Sequence, residues 1–160
     1  MRDKIWVVGG YGQVGRVICE ILSKKLPGKV VAAGRNKKMA EDYALSTEGK
    51  VLAEQLDIYK MDEEDMRLDD VKIVVMCIDQ KNTRFVNLCI EKKIHYVDIS
   101  PSYNILSQIE TLRKKAAQND VSMMLGVGLC PGLTNLLAKK SLSEIDFVHS
   151  IDIYLMLGVG

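Results

Sequence analysis

With 160 residues, 48% hydrophobic and 27% charged, and a formal net charge of +1, the chain has the size and balance of one globular domain with its own core. The near-neutral charge, and the lack of any basic stripe interleaved with aromatics, argue against nucleic acid; no apolar stretch has membrane-spanning length, which argues against a membrane partner. Arg2-Asp3-Lys4 leads into a strand and not into a signal-peptide core, so the expected compartment is the cytoplasm.

The first predicted element is the strand Ile5-Trp6-Val7-Val8. It runs into Gly10-Tyr11-Gly12-Gln13-Val14-Gly15, and Val14, Val17, Ile18, Ile21 and Leu22 then recur at helical spacing until Pro27-Gly28. Strand, glycine turn and helix start in register are what brings backbone amides up to a pyrophosphate. In that reading Gly10 makes the sharp turn, Gly12 leaves no side chain before the phosphate, and Gly15 lets the helix lie close to the sheet. Gln13 and Val14 supply amides at the helix start.

A second strand, Val30-Val31-Ala32-Ala33, ends at Gly34-Arg35-Asn36. A dinucleotide without a 2′-phosphate is usually held by a carboxylate about 20 residues past the glycines. Arg35 stands there instead, and no acid follows until Glu41. A guanidinium at that position pairs with a 2′-phosphate, with Asn36 beside it and Lys37 and Lys38 adding positive potential, so NADP(H) is preferred and NAD(H) remains possible. The alternative is that these charges form an ordinary solvated helix start.

Strand and helix keep alternating. A helix over about 37–46 is followed by a third strand, Val51 to Asp57, and by a short acidic helix, Asp62 to Arg67. The fourth strand is Val71 to Ile78. A helix carrying Phe85, Val86, Leu88 and Cys89, a fifth strand Tyr96 to Ile99, a long helix with Ile105, Ile109, Leu112 and Ala116, and a sixth strand Val121 to Leu125 complete the series. This predicts an α/β fold, a Rossmann-like doubly wound parallel sheet with helices on both faces. Ligands of such sheets lie past the strand ends. Cys77, one residue before the end of the fourth strand, is a cofactor-contact candidate there, Asp57 approaches the adenine, and Asp79 either touches the cofactor or caps a helix.

Cys19, Cys77, Cys89 and Cys130 form no C-x-x-C, and only His95 and His149 accompany them, so neither a disulfide nor a metal site is expected. Cys130 is read first as a packing residue and second as a catalytic thiol. Tyr103 is a candidate proton donor; the competing account is that Ser102 caps the following helix and Tyr103 packs on its first turn.

Gly9-Gly10-Tyr11-Gly12-Gln13-Val14-Gly15-Arg16, Ala33-Gly34-Arg35, Leu56-Asp57, Tyr96-Val97-Asp98-Ile99-Ser100 and above all Gly128-Leu129-Cys130-Pro131-Gly132-Leu133-Thr134-Asn135-Leu136-Leu137-Ala138 resemble the saccharopine dehydrogenase or reductase family. The resemblance implies an NADP(H)-linked oxidoreductase that forms or splits a secondary amine of an amino acid by hydride transfer through an imine. It implies an amino-acid-like small-molecule substrate and a homodimer. Where lysine-pathway members often have aspartate before Pro-Gly, this chain has Cys130, which puts those substrates in doubt. Ile151 to Gly160 reads as one more strand ending in a glycine turn. Residues 1–145 are thus expected to be the NAD(P)-binding domain, and residues 146–160 the start of a missing second domain for substrate and dimer contacts. On that reading the chain resembles an excised cofactor domain that binds nucleotide and catalyses little alone.

Two other classes fit less well. No tyrosine has lysine four residues on, as a short-chain dehydrogenase would need, and Arg35 replaces the acidic ribose contact of a methyltransferase. A nucleotide-sensing regulatory module without catalysis remains the alternative, although it has no evident need for the Pro131-Gly132-Leu133-Thr134-Asn135 segment.

Overall fold

The structure, a computed structural model, describes residues 2–156. Six strands, β1 (Lys4–Val8), β2 (Val30–Gly34), β3 (Val51–Gln55), β4 (Val71–Met76), β5 (His95–Asp98) and β6 (Met123–Met124), form one sheet in the order β3-β2-β1-β4-β5-β6. Every pairing is parallel. Helices α1 (Gln13–Lys25), α2 (Lys37–Ser46), α3 (Arg84–Glu91), α4 (Tyr103–Glu110), α5 (Arg113–Gln118) and α6 (Leu133–Leu142) account for the remaining regular structure, with a single 3-10 turn at Met66–Leu68.

Side-chain alternation along β1 divides the core in two. Trp6 and Val8 face one side with Val74, Met76, Phe85, Ile90, Tyr96 and Ile109; Ile5 and Val7 face the other with Val30, Ala32, Cys19 and Tyr43. Helices α1 and α2 therefore cover one face and α3, α4 and α5 the other, as a parallel sheet requires, since neither face can meet water. The order of the sheet reverses between β1 and β4, where the chain leaves β1 toward one face and β4 toward the other. There the Cys77 amide donates to the Val8 carbonyl at 2.9 Å. That seam opens the crevice in which doubly wound sheets hold their ligands.

Several predicted elements differ in extent. Asp62 to Arg67 forms no α-helix: the carboxylates of Asp62 and Asp65 accept from the Glu64 and Arg67 amides two residues on, a local bond that competes with helix. The predicted long helix carrying Ile105 to Ala116 breaks into α4 and α5, and Thr111 at the break donates its hydroxyl to the Gln108 carbonyl at 2.7 Å. Strand β3 stops at Gln55 and β6 is two residues long. Helix α6, over the Leu-Thr-Asn segment, was not expected from periodicity. Residues 151–156 form no strand, because no sheet edge pairs with them, and they are exposed; the rest of that expected strand, residues 157–160, lies outside the described residues.

Candidate cofactor-binding site

The glycine turn sits at the carboxyl end of β1. Its left-handed residue is Gly9, at φ +84°, so Gly9 and not Gly10 makes the turn out of the strand. Gly10 is instead a packing position, where a Cβ would lie 2.7 Å from the Ala32 Cα. Gly15 is still more crowded: a Cβ there would lie 2.2 Å from the Gly9 carbonyl oxygen, so α1 presses directly on the glycine turn. At Gly12 a Cβ would meet only the Gly9 oxygen, at 3.1 Å, on an otherwise open side.

Helix α1 begins at that open side with Gly12 as N-cap and without a side-chain cap or an acid in its first turn. The Arg16 amide is the first to be satisfied, by the Gly12 carbonyl at 2.9 Å. The amides of Gln13 and Val14, both exposed residues, donate to no protein group among the described residues. Unspent donors and the positive end of the helix dipole suit an anion at this position. An acidic cap would have blocked it, and the chain has none there.

At the exit of β2, Tyr11 reaches across to Gly34. A Cβ on Gly34 would lie 2.6 Å from the Tyr11 ring and hydroxyl, and the phenolic oxygen accepts the Asn36 amide at 3.0 Å. The Asn36 side-chain oxygen is occupied as N-cap of α2, accepting from the Met39 amide at 3.1 Å, which fixes the side chain at the β2 exit. Arg35 is exposed, and its side chain makes no hydrogen bond or ion pair among the described residues. Lys37 is engaged with Glu41 at 3.7 Å, one turn on.

On the far side of the seam the predicted residues take other roles. Cys77 is half-buried beside the turn, and burial, with the nearby Asp98 charge, pushes its thiol up to about 12. It is a neutral wall of the crevice. Asp79 caps no helix, since α3 starts five residues later with Thr83 as N-cap; its carboxylate accepts the Ser100 hydroxyl at 3.2 Å. Asp57, past β3, accepts from the Tyr59 amide at 3.1 Å in a tight turn, with Lys60 at 3.9 Å from the carboxylate.

The two candidate catalytic residues stand past the ends of β5 and β6. Tyr103 opens α4 and is 83% exposed, so it does not pack on the helix; Ser102 is the N-cap by position but makes no side-chain cap bond. Cys130 is exposed, which overturns its reading as a buried packing residue: it lies on the loop between β6 and α6, outside the apolar layers.

Between these residues lies a network that spacing did not reveal. Asp98 is fully buried on β5; its carboxylate accepts from the Tyr96 hydroxyl at 2.7 Å, the Gln80 amide nitrogen at 3.2 Å and the Ser100 amide at 2.7 Å. Gln80 also donates to the Tyr96 oxygen at 2.6 Å, while its own Oε1 is buried without a donor. Burial lifts the Asp98 carboxyl above the ordinary carboxylate range against the bonds from Tyr96 and Ser100. This hub ties the exits of β4 and β5, and the Val127 amide, donating to the Asp98 carbonyl at 3.0 Å, ties in the exit of β6. Alternating polar residues on a buried strand were the only signal for it.

A family model described as the saccharopine dehydrogenase NADP binding domain matches residues 5–124. No curated protein matches the chain. Among solved structures, the saccharopine dehydrogenase (L-Glu forming) of Saccharomyces cerevisiae superposes with a TM-score of 0.74 at 23% identity, over 89% of this chain and 31% of that one. The triphenylmethane reductase of a Citrobacter species, complexed with NADP(H), gives 0.56 at 16% identity over 76% and 48%. The scyllo-inositol dehydrogenase of Lactobacillus casei, with NAD(H) bound, gives 0.61 at 15% identity over 90% and 42%. The chain thus spans from 31% to 48% of the length of these proteins, and the likeness is one of fold.

Proposed function

The chain belongs to the saccharopine dehydrogenase NADP-binding domain family, an oxidoreductase family, and from that premise we propose that it serves hydride transfer to or from an imine or secondary amine of an amino acid. The observation that carries the cofactor half of this reading is the uncapped start of α1 at the β1–β4 seam, with the amides of Gln13 and Val14 unspent. Those amides and the bare Gly12 receive the pyrophosphate; Gly10 and Gly15 hold the turn closed beneath it. Arg35, exposed and unpaired at the β2 exit, receives the 2′-phosphate. Bound NADP(H) supplies or takes the hydride at the imine carbon.

On the other side of the seam, Cys77 closes the crevice as a neutral wall, and the Asp98 hub sets the positions of Asp79 and Ser100. Tyr103, accessible after β5, is proposed to give its proton to the amine nitrogen. Cys130 stands as a second, thiol candidate on the neighbouring loop. The amino-acid substrate and a homodimer contact are assigned to a second domain in a longer protein, of which residues 146–160 are the beginning. The test is NADPH oxidation by such a protein when offered an aldehyde and an amino acid together. Oxidation that needs both supports the reading; oxidation with the aldehyde alone rejects the imine.

A further inference from the structure

Arg16 stands one residue past the last glycine of the turn, and it is pinned without being spent. Its Nε donates to the Tyr11 carbonyl at 2.9 Å, and its guanidinium lies over the Tyr43 ring, 5.1 Å from the centroid. The Tyr43 hydroxyl in turn donates to the Arg16 carbonyl at 3.2 Å, which locks α1 to α2 at this point. Yet Arg16 is exposed, pairs with no acid, and its terminal guanidinium nitrogens have no protein acceptor among the described residues. Glu20, one turn along α1, forms no ion pair with it, and neither α1 nor α2 has an acid in its first turn.

An exposed arginine normally keeps its rotamer freedom, and holding it still costs entropy. Here that cost is met by Tyr11 and Tyr43 before any ligand arrives, which leaves a planar fork fixed in place for an anion. The same Tyr11 that Arg16 grips by its carbonyl lies on Gly34 and accepts the Asn36 amide, so its phenolic O–H remains available as a donor at the β2 exit. Arg35 is the adjoining residue.

Resting on the cofactor reading above, we infer that Arg16 is a specificity-determining residue: its fork, with Arg35 and the Tyr11 hydroxyl, closes on the ribose 2′-phosphate that distinguishes NADP(H) from NAD(H). The competing phosphate is the pyrophosphate, which both cofactors carry. The two sources separate on ligands with and without the 2′ group.

The experiment is calorimetric titration of the whole chain with NADPH, NADH, adenosine 2′,5′-bisphosphate and AMP, for the wild type, Arg16→Gln and Arg16→Lys. The glutamine variant is expected to weaken NADPH and the bisphosphate by about tenfold or more, the scale of one charge-assisted bond, and to leave NADH and AMP within about twofold. Lysine restores part of the loss, since the charge returns without the fork. Retained NADH binding also shows that the variant is folded. Equal weakening of NADPH and NADH, or no change in either, overturns the assignment. A wild type without preference for NADPH sinks the cofactor reading itself; a wild type that prefers NADPH and ignores Arg16 sinks only this inference.

Discussion

The ring of Tyr11 lies on Gly34, so closely that a Cβ on the glycine would sit 2.6 Å from the ring and its hydroxyl. One residue belongs to the glycine turn and the other ends β2, and the 3.0 Å bond from the Asn36 amide to the Tyr11 oxygen fastens them. The glycine turn and the β2 exit are therefore one mechanical unit.

That contact predicts coupling. Gly34→Ala forces the Tyr11 ring off its place and breaks its bond to Asn36, so NADPH binding is expected to weaken. In a Tyr11→Ala background the nearest neighbours of the added methyl are gone and it does less further harm. A double-mutant cycle on NADPH affinity should show an interaction on the order of 1 kcal/mol; strict additivity contradicts the packing described.

Two glycines three residues apart, Gly12 and Gly15, separate fold from binding. Gly15→Ala puts a methyl 2.2 Å from the Gly9 oxygen, a clash with backbone that cannot swing aside, and should cost about 1–3 kcal/mol or more of stability. Gly12→Ala meets that oxygen at 3.1 Å, a gap that small shifts accommodate, and its extended backbone suits alanine. On the proposed function, its methyl stands where the pyrophosphate is to approach the turn. Urea unfolding should rank Gly15→Ala well below Gly12→Ala, while titration with NADPH should find both defective.

The four free thiols differ enough in environment to be told apart chemically. Cys19 is buried and its thiol is pushed up to about 12, chiefly by that burial; Cys77 is raised likewise, and burial alone lifts Cys89 further. Cys130 is exposed. A thiolate-directed alkylating agent at mildly alkaline pH is expected to label Cys130 first, and the others only after unfolding. Peptide mass mapping checks this, and early labelling of Cys89 would contradict the core assignment.

The part of the fold that was legible lies where cause and effect are adjacent in the chain. Strand, glycines and helix follow one another from Ile5 to Leu22, so the pyrophosphate turn needed no tertiary information, although the left-handed residue proved to be Gly9. The place of Arg35 at the β2 exit was legible because one helix and one strand in succession set its distance from the turn. Arg16 was read only as the end of the glycine segment, with no role of its own, because its partners Tyr11 and Tyr43 lie on different elements. The Gln80–Tyr96–Asp98 hub joins residues 16 and 18 apart whose only local signature is polarity in an apolar strand. The last strand failed for the opposite reason: Ile151 to Met156 has strand-like letters, but pairing needs a partner edge, and none receives it.

The buried carboxyl of Asp98 gives a pH prediction of definite sign. No lysine, arginine or histidine pairs with it among the described residues, and Asp79 adds to the lift that burial imposes. The folded chain holds this proton more tightly than the unfolded chain does. Above the ordinary carboxylate pKa of about 4, the folded state binds more protons, so this group's contribution falls as pH rises toward its raised value and stays lost beyond it. Asp98→Asn removes that loss and keeps the shape. The amide oxygen still accepts the Ser100 amide, and the new NH2 finds an acceptor in Gln80 Oε1, at present buried without a donor, once the Gln80 amide turns over. Urea unfolding across the acidic to neutral range should therefore show Asp98→Asn equal to or more stable than the wild type at neutral pH, with the gap closing as the solution is acidified. A variant that is much weaker at neutral pH, with the wild type losing that advantage on acidification, would mean that the three hydrogen bonds to the carboxylate outweigh the cost of burying its charge.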